Sequence, residues 1–192
     1  MANGTHGTLR RGHVARLPVT VGPSAVVSSL VLGALAATVA FLLLQTSLEI
    51  AALAGLLVIL LHWLAVSVHV LGHTTAARRT GYPANGIRLW GLFSRISYPA
   101  DEPSLPAALH ARRALGGPLA SASFSLIVAA LVVASRPIAG TAWWLLVFLL
   151  LDSFLVGTIG AFLPLPFADG GTFLRLWRER VEAKRRSKGG RT

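Results

Sequence analysis

The stretch from Ile50 to His73, IAALAGLLVILLHWLAVSVHVLGH, decides how this sequence is interpreted. It contains no Asp, Glu, Lys or Arg, and its length suits a helix that crosses a hydrocarbon core about 30 Å thick. Its last five residues place His69 and His73 four positions apart. On a helix, such residues share one face and lie about 6 Å apart along the axis, so both imidazoles can reach one cation. The stretch therefore predicts a membrane-spanning helix that carries part of a metal site.

The composition agrees with a membrane location. Hydrophobic residues make up 54% of the chain, charged residues make up 13%, and the mean hydropathy of +0.65 is typical of an integral membrane protein. The formal charge of +11 is not accompanied by interleaved aromatic and basic residues, so we expect no nucleic-acid partner. Because the chain has no cysteine, only His, Asp or Glu side chains are available as strong metal ligands.

Four apolar runs predict an all-α integral membrane protein with about four transmembrane helices. We expect the first run to be an uncleaved helix, because it is longer than the apolar part of a signal peptide. The four spans cover about residues 23–45, 50–73, 114–135 and 141–163. Together they form a membrane domain over residues 24–172.

The segments outside the spans are polar and basic. Residues 1–23 are expected to be a disordered cytoplasmic tail, and residues 173–192 a second basic cytoplasmic tail. Between the second and third spans, GIRLWGLFSRISYP (residues 86–99) has short alternating apolar positions. This alternation predicts either a short β-hairpin in the cytoplasmic loop or a loop on the membrane surface.

The distribution of basic residues predicts the orientation. The N-terminal tail, the loop between spans two and three, and the C-terminal tail contain 3, 6 and 8 Lys or Arg, against Arg136 alone on the other side. Both termini are therefore expected in the cytoplasm, where the basic tails would contact anionic lipids. The preference for Arg over Lys suggests a bacterial plasma membrane.

This topology brings a third polar residue to the depth of the two histidines. Asp169 lies in LPLPFADGG (residues 163–171), where Pro164 and Pro166 interrupt the fourth helix. Two histidines and one carboxylate are a ligand set for one catalytic zinc ion with an open position. Hydrolases with an HExxH helix place a glutamate directly after the first histidine as general base, but Val70 occupies that position here.

Two further ionisable residues lie inside predicted spans. His62 precedes His69 by seven residues, about 10 Å along the helix, which puts it outside a first coordination shell. We expect it to make a polar packing contact or to line a wet cavity. Asp152, in the middle of the fourth span, would pair with His62, order water or bond elsewhere in the bundle.

Three motifs in order carry a family resemblance: HVLGH, GGPLAS (Gly116–Ser121) and FLPLPFADGG (Phe162–Gly171). Over roughly residues 50–175 the chain resembles the site-2 protease family of intramembrane zinc metalloproteases. The resemblance implies that the metal ligands are His69, His73 and Asp169. It also implies that the supporting residues are Gly117 and Pro118 of the Gly-Pro element, and Gly170 after the aspartate.

Two positions depart from the family pattern. Val70 replaces the catalytic glutamate, and Ala161 stands where the family has an asparagine that is thought to help position substrate. A positioned acid or base contributes roughly 10²–10⁴-fold to such reactions. We therefore expect a zinc-binding but catalytically impaired protein, a pseudoprotease that binds transmembrane segments of other membrane proteins.

Two alternatives stay open at this point. The protein could be an active intramembrane zinc metalloprotease with an atypical base, for which the candidates are His62, Asp101, Glu102 and Asp152. It could also be a small membrane carrier or metal-handling protein whose histidine stripe lines a polar path.

Overall fold

The computed structural model describes residues 10–14, 17–138 and 140–163. Its main helices are α1 (Pro23–Leu43), α2 (Leu48–Arg79), α3 (Ala107–Ala134) and α4 (Thr141–Leu151). Helix α4 continues without a break as a π-helical segment, Asp152–Ile159, and a 3₁₀ turn, Gly160–Phe162. A short 3₁₀ turn, Arg136–Ile138, precedes α4. The four helices are long and apolar enough to cross a membrane, which confirms the expected multi-pass architecture.

The loop between spans two and three is shorter than expected because both neighbouring helices extend into it. Helix α2 continues past His73 to Arg79, and Gly81 follows with a left-handed φ of 81°, a conformation that commonly ends helices. Helix α3 begins directly after Pro106. Polar residues end the apolar pattern at these positions, but both helices continue where they leave the hydrocarbon core.

Small residues set the spacing between neighbouring helices. A Cβ atom added to Gly55 would overlap the backbone of Gly33, so α1 and α2 meet at these two glycines. A Cβ atom added to Gly72 or Gly116 would likewise overlap the other residue's carbonyl, so α2 and α3 touch backbone to backbone there. Such close approach maximises van der Waals contact, which drives helix association in a membrane.

A four-stranded sheet covers one side of α2. Its strands follow the order β1 (Arg10–Val14), β2 (Leu17–Val21), β3 (Gly86–Trp90) and β4 (Phe93–Ser97). The pairs β1–β2 and β3–β4 are antiparallel, whereas β2 and β3 are parallel. The β3–β4 pair is the hairpin expected in the loop before α3.

The expectation of a disordered tail over residues 1–23 was wrong for the part that forms β1 and β2. Strand β2 alternates apolar residues, and its buried Val19 packs with Ile87 of β3 and Val70 of α2. The parallel register of Val19 with Ile87 satisfies backbone groups of β2. High glycine and arginine content concealed this alternation, which becomes favourable only when β3 supplies a pairing edge.

The sheet lies lengthwise along α2. At one end, its inner face packs against Val66 and Val70. At the other, the carbonyl of Leu92, in the turn between β3 and β4, lies 3.1 Å from His62 Nε2. Val70 and His62 are about 12 Å apart along the helix axis. The sheet is thereby fixed against the helix that carries the histidine motif.

Candidate functional site

His69 and His73 converge as their spacing predicts. Their Nε2 atoms lie 3.0 Å apart, and the two rings meet edge to face at 77°. His73 is buried and His69 is half-buried, so both rings are held between helices. Two imidazoles that direct the same ring nitrogen to one point form a potential two-nitrogen metal ligand.

Helix α3 contacts the outer nitrogen of each ring. His73 Nδ1 lies 2.8 Å from the carbonyl oxygen of Arg113, which can only accept, so Nδ1 carries a proton and donates it. His69 Nδ1 lies 3.0 Å from Ser121 Oγ. With both rings neutral, His69 Nε2–H donates to His73 Nε2, and the Ser121 hydroxyl donates to His69 Nδ1. The tautomer of His73 already leaves its Nε2 lone pair directed at the centre of the pair.

The histidine pair fits a zinc ion by the chemistry of its donors. Two histidine nitrogens bound to tetrahedral zinc lie about 3.3 Å apart, close to the observed 3.0 Å. When zinc is bound, His69 must carry its proton on Nδ1, where Ser121 Oγ can accept it. Zinc would supply a Lewis acid at this point, held by His69 and His73.

The third expected ligand, Asp169, lies outside the described residues, as does Gly170. Within the described ranges, no group of three His, Cys, Asp or Glu side chains forms a metal site. The structure therefore brings together two of the three predicted ligands and does not test the third.

Glycines border the histidine pair where a side chain would displace it. A Cβ atom added to Gly117 would overlap His73 Nε2 and lie 2.7 Å from His69 Nε2. A Cβ atom added to Gly157 would lie 2.7 Å from Ser121 Oγ. Gly117 begins the predicted Gly-Pro element, and the buried Pro118 follows it inside α3. Because proline has no N–H and crowds the preceding turn, it perturbs the helix close to the Arg113 carbonyl that His73 uses.

Val70, which directly follows His69, faces away from the polar contacts of the histidines. It is buried in an apolar cluster with Val19 and Ile87, and half-buried residues of α2 and the sheet pack around them. The side of α2 next to His69 is thus closed by hydrophobic packing against the sheet. A carboxylate is missing here, and apolar side chains take up the space around the position.

Helix α4 becomes π-helical where it passes the histidine pair. The segment Asp152–Ile159 contains Gly157, which touches Ser121, and Ser153, which accepts a hydrogen bond from Ser125 Oγ at 2.9 Å. π-Helical turns are rare and often occur at functional sites. Ala161, in the following 3₁₀ turn, is buried and has no polar side-chain atom to offer.

Arg113 connects the site to the loop before α3. Its guanidinium is buried, lies over the Tyr98 ring at 3.5 Å, and bonds Glu102 Oε1 at 2.9 Å. Its carbonyl is the acceptor for His73 Nδ1. Glu102, one of the candidate bases, is therefore held by Arg113, whereas Asp101 is exposed.

His62, which is buried, and Asp152, which is half-buried, form a hydrogen-bonded pair. His62 Nδ1 lies 3.1 Å from Asp152 Oδ2, and His62 Nε2 lies 3.1 Å from the Leu92 carbonyl. Of the three possibilities considered for Asp152, the structure shows the pairing. Since the Leu92 oxygen only accepts, His62 Nε2 carries a proton, and one further proton lies between His62 and Asp152.

Sequence reasoning assigned no role to Ser121, Arg113 or Gly157. Ser121 closed the GGPLAS element, and Arg113 was counted only as a basic loop residue. Gly157 lies in an apolar run with no neighbouring motif. A helical projection of GGPLAS from Gly117 would have placed Ser121 one turn away, on the same face.

No protein-family model matches the sequence, and no curated protein matches it. The fold is similar to the solved structure of the Site-2 Protease from Methanocaldococcus jannaschii, with a TM-score of 0.62 at 17% sequence identity. The similarity covers 89% of this chain and 72% of that chain. The chain thus has a site-2-protease-like membrane fold, as the order of its motifs predicted.

Proposed function

We propose that this protein is a zinc-binding, catalytically impaired relative of site-2 proteases that binds transmembrane segments of other membrane proteins. The supporting observation is the histidine pair, whose Nε2 atoms are 3.0 Å apart and whose outer nitrogens contact Ser121 and Arg113. Metal-binding histidines usually have such outer contacts, which fix ring orientation and tautomer. Asp169 is our proposed third ligand.

The impairment is supported by the residue at the base position and its surroundings. Zinc alone lowers the pKa of bound water toward about 7, but hydrolysis of a peptide also needs a group that moves a proton to the leaving amine. Val70 cannot do so, and the cluster with Val19 and Ile87 leaves this side of the histidine pair apolar. Ala161 offers no polar side chain either.

The two alternatives receive less support from the contacts of the described residues. Glu102 is engaged by Arg113, and His62 and Asp152 are engaged with each other, so three of the four candidate bases already have strong partners. Both ring nitrogens of His62 already have partners, Asp152 and the Leu92 carbonyl, so His62 is not available to line a polar path. This arrangement does not favour a carrier. Both alternatives remain outcomes of the experiment below.

We further propose that both termini face the cytoplasm of a bacterial plasma membrane. The support is the strong bias of Lys and Arg to the two tails and the loop before α3. The apolar helices would contact transmembrane segments of partner proteins, and the basic tails would contact anionic lipids.

Metal analysis combined with a cleavage assay tests the proposed function. The purified protein is expected to retain about one zinc per chain and His69→Ala to lose it, with Ser123→Ala as a control on an exposed residue of α3. Reconstituted with single-span membrane proteins in lipid vesicles, the wild type is expected to bind them without cleaving them.

Each other outcome identifies an alternative. Cleavage by the wild type that is lost in His69→Ala would show an active protease with an atypical base. Zinc at less than one tenth of stoichiometry in the wild type would overturn both protease-related interpretations. Zinc transport across the vesicle membrane would support the carrier.

A further inference from the structure

An open groove of about 680 Å³ runs along the crossing of α2 and α3. Its volume is in the range of about 300–1,000 Å³ typical of small-molecule sites. His69 and His73 do not line it, so the groove is separate from the candidate metal site. Its floor is the Gly72–Gly116 contact, and its walls and ends include Val68, Leu71, Thr75, Arg79, Arg112 and Leu119.

The groove is cationic at one end and apolar at the other. Arg79 is the last residue of α2, and Arg112 lies in the second turn of α3. Because the two helices are antiparallel, both arginines reach the same end of the groove. Val68 and Leu119 line the other end, and Leu119 is 62% exposed.

The length of the groove is close to the thickness of one bilayer leaflet. Val68 and Arg79 are about 16 Å apart along α2. One leaflet with its headgroups is about 20 Å thick. The apolar end, at Val68 and Leu119, lies inside the predicted spans 50–73 and 114–135, whereas Arg79 and Arg112 lie beyond the ends of these spans, on the headgroup side.

No carboxylate among the residues that the structure describes lines the groove beside the two arginines. Arg112 and Arg79 are exposed, whereas the adjacent Arg113 is buried and paired with Glu102. The cationic end is therefore complementary to an anion that carries an apolar chain.

We propose that this groove binds one anionic phospholipid. Its phosphate would lie between Arg79 and Arg112, since arginine binds phosphate oxygens through paired N–H donors. One acyl chain would follow the groove past Thr75 and Leu71 toward Leu119. This site does not depend on zinc binding or on proteolysis.

Native mass spectrometry of the full chain in detergent micelles tests the proposal, with phosphatidylglycerol and phosphatidylcholine of identical acyl chains as probes. We expect one phosphatidylglycerol to bind in preference to phosphatidylcholine. Arg79→Gln with Arg112→Gln is expected to weaken phosphatidylglycerol binding about 30-fold, from the attraction of two surface arginines to an anionic lipid. Arg88→Gln with Arg95→Gln removes the same charge from exposed positions of the sheet and is expected to change binding less than about 3-fold.

A second variant tests the acyl part of the site. Thr75 is exposed in the groove, so Thr75→Trp would block the chain path while both arginines remain. We expect it to reduce phosphatidylglycerol binding at least 10-fold without loss of thermal stability. Equal weakening by the two double arginine variants would overturn the site, as would unchanged binding in Thr75→Trp.

Two further results identify other occupants. If millimolar inorganic phosphate displaced bound phosphatidylglycerol as effectively as added phosphatidylglycerol does, the arginines would be assigned to a free phosphate. A dimer that disappears in Thr75→Trp, without lipid binding by the wild type, would assign the groove to a second copy of the chain. Either result overturns the phospholipid proposal.

Discussion

Two neighbouring faces of α2 differ sharply although His69 and Val70, which lie on them, are consecutive in sequence. The face of His69 and His73 meets α3 through Ser121 and the Arg113 carbonyl, and a glycine lies where any side chain would collide. The face of Val70, about 100° around the helix, meets the sheet through Val19 and Ile87. The first has polar contacts to the outer nitrogens of both histidines, and the second is an ordinary apolar core.

This difference indicates that the orientation of the histidines and the surroundings of position 70 depend on different parts of the fold. Histidine orientation depends on α3 and α4, whereas the environment of position 70 depends on β2 and β3. A valine at that position gains apolar burial against the sheet, which stabilises the attachment of the sheet to α2. Under the proposed function, a valine at position 70 would supply a packing contact in place of a catalytic carboxylate without disturbing the contacts of the histidines.

The largest expected effect comes from a side chain that fills the space beside the two histidines. Gly117→Ala places a Cβ atom against both Nε2 atoms, so we expect zinc affinity to fall more than 100-fold, beyond the 10–100-fold range for outer-contact mutations. Gly86→Ala is the matched control, because its nearest neighbours would be 3.8 Å from the added carbon. Zinc content after dialysis measures the effect. Stoichiometric zinc in Gly117→Ala would show that the pair is not the binding site.

Converting the apolar face to a polar one is the next largest change. Val70→Glu buries an unpaired carboxylate against Val19 and Ile87, with an expected cost of about 3–5 kcal/mol. Val70→Met, which has similar length without charge, is expected to cost about 1–3 kcal/mol through overpacking. Thermal unfolding in micelles compares the two variants.

Val70→Glu also tests whether a glutamate at position 70 points into the sheet cluster or toward the histidines. We expect no recovered cleavage from Val70→Glu, alone or with Ala161→Asn, because the side chain starts in the sheet cluster. Cleavage together with wild-type stability would contradict this expectation. It would show that the glutamate reaches the metal site and that the sheet yields to it.

A smaller change removes one outer contact of the histidine face. Ser121→Ala leaves His69 Nδ1 without its partner at 3.0 Å, so zinc affinity should fall about 10–100-fold. Ser123→Ala, two residues along the same helix and exposed, is the control. Competition with a zinc chelator measures both dissociation constants. Equal constants for the two variants would remove Ser121 from the site.

The features that could be predicted from the sequence are those that depend on neighbouring residues, and the features that were missed depend on contacts between distant segments. The lengths of the apolar runs were sufficient for the four spans, and the i, i+4 spacing was sufficient for the meeting of His69 and His73, because both depend on local sequence. The roles of Arg113 and Gly157 depend on contacts between distant segments, which spacing does not report. Strands β1 and β2 were missed because β2 needs the edge of β3, about 70 residues later, to become stable.

The smallest expected effect concerns the polar contact between the β3–β4 hairpin and α2, which His62 makes with Leu92. This effect should be smaller than that of changing the apolar contact at Val70. Asp152→Ala leaves His62 with an unsatisfied Nδ1 and should cost about 1–3 kcal/mol of stability. Asp152→Asn should cost less, because its amide can donate to Nδ1 while His62 Nε2 still donates to Leu92. Neither variant should change zinc content, since His62 does not touch the histidine pair. If Asp152→Ala lost zinc, the attachment of the sheet and the metal-binding face would be coupled, and the two faces of α2 could not have diverged independently.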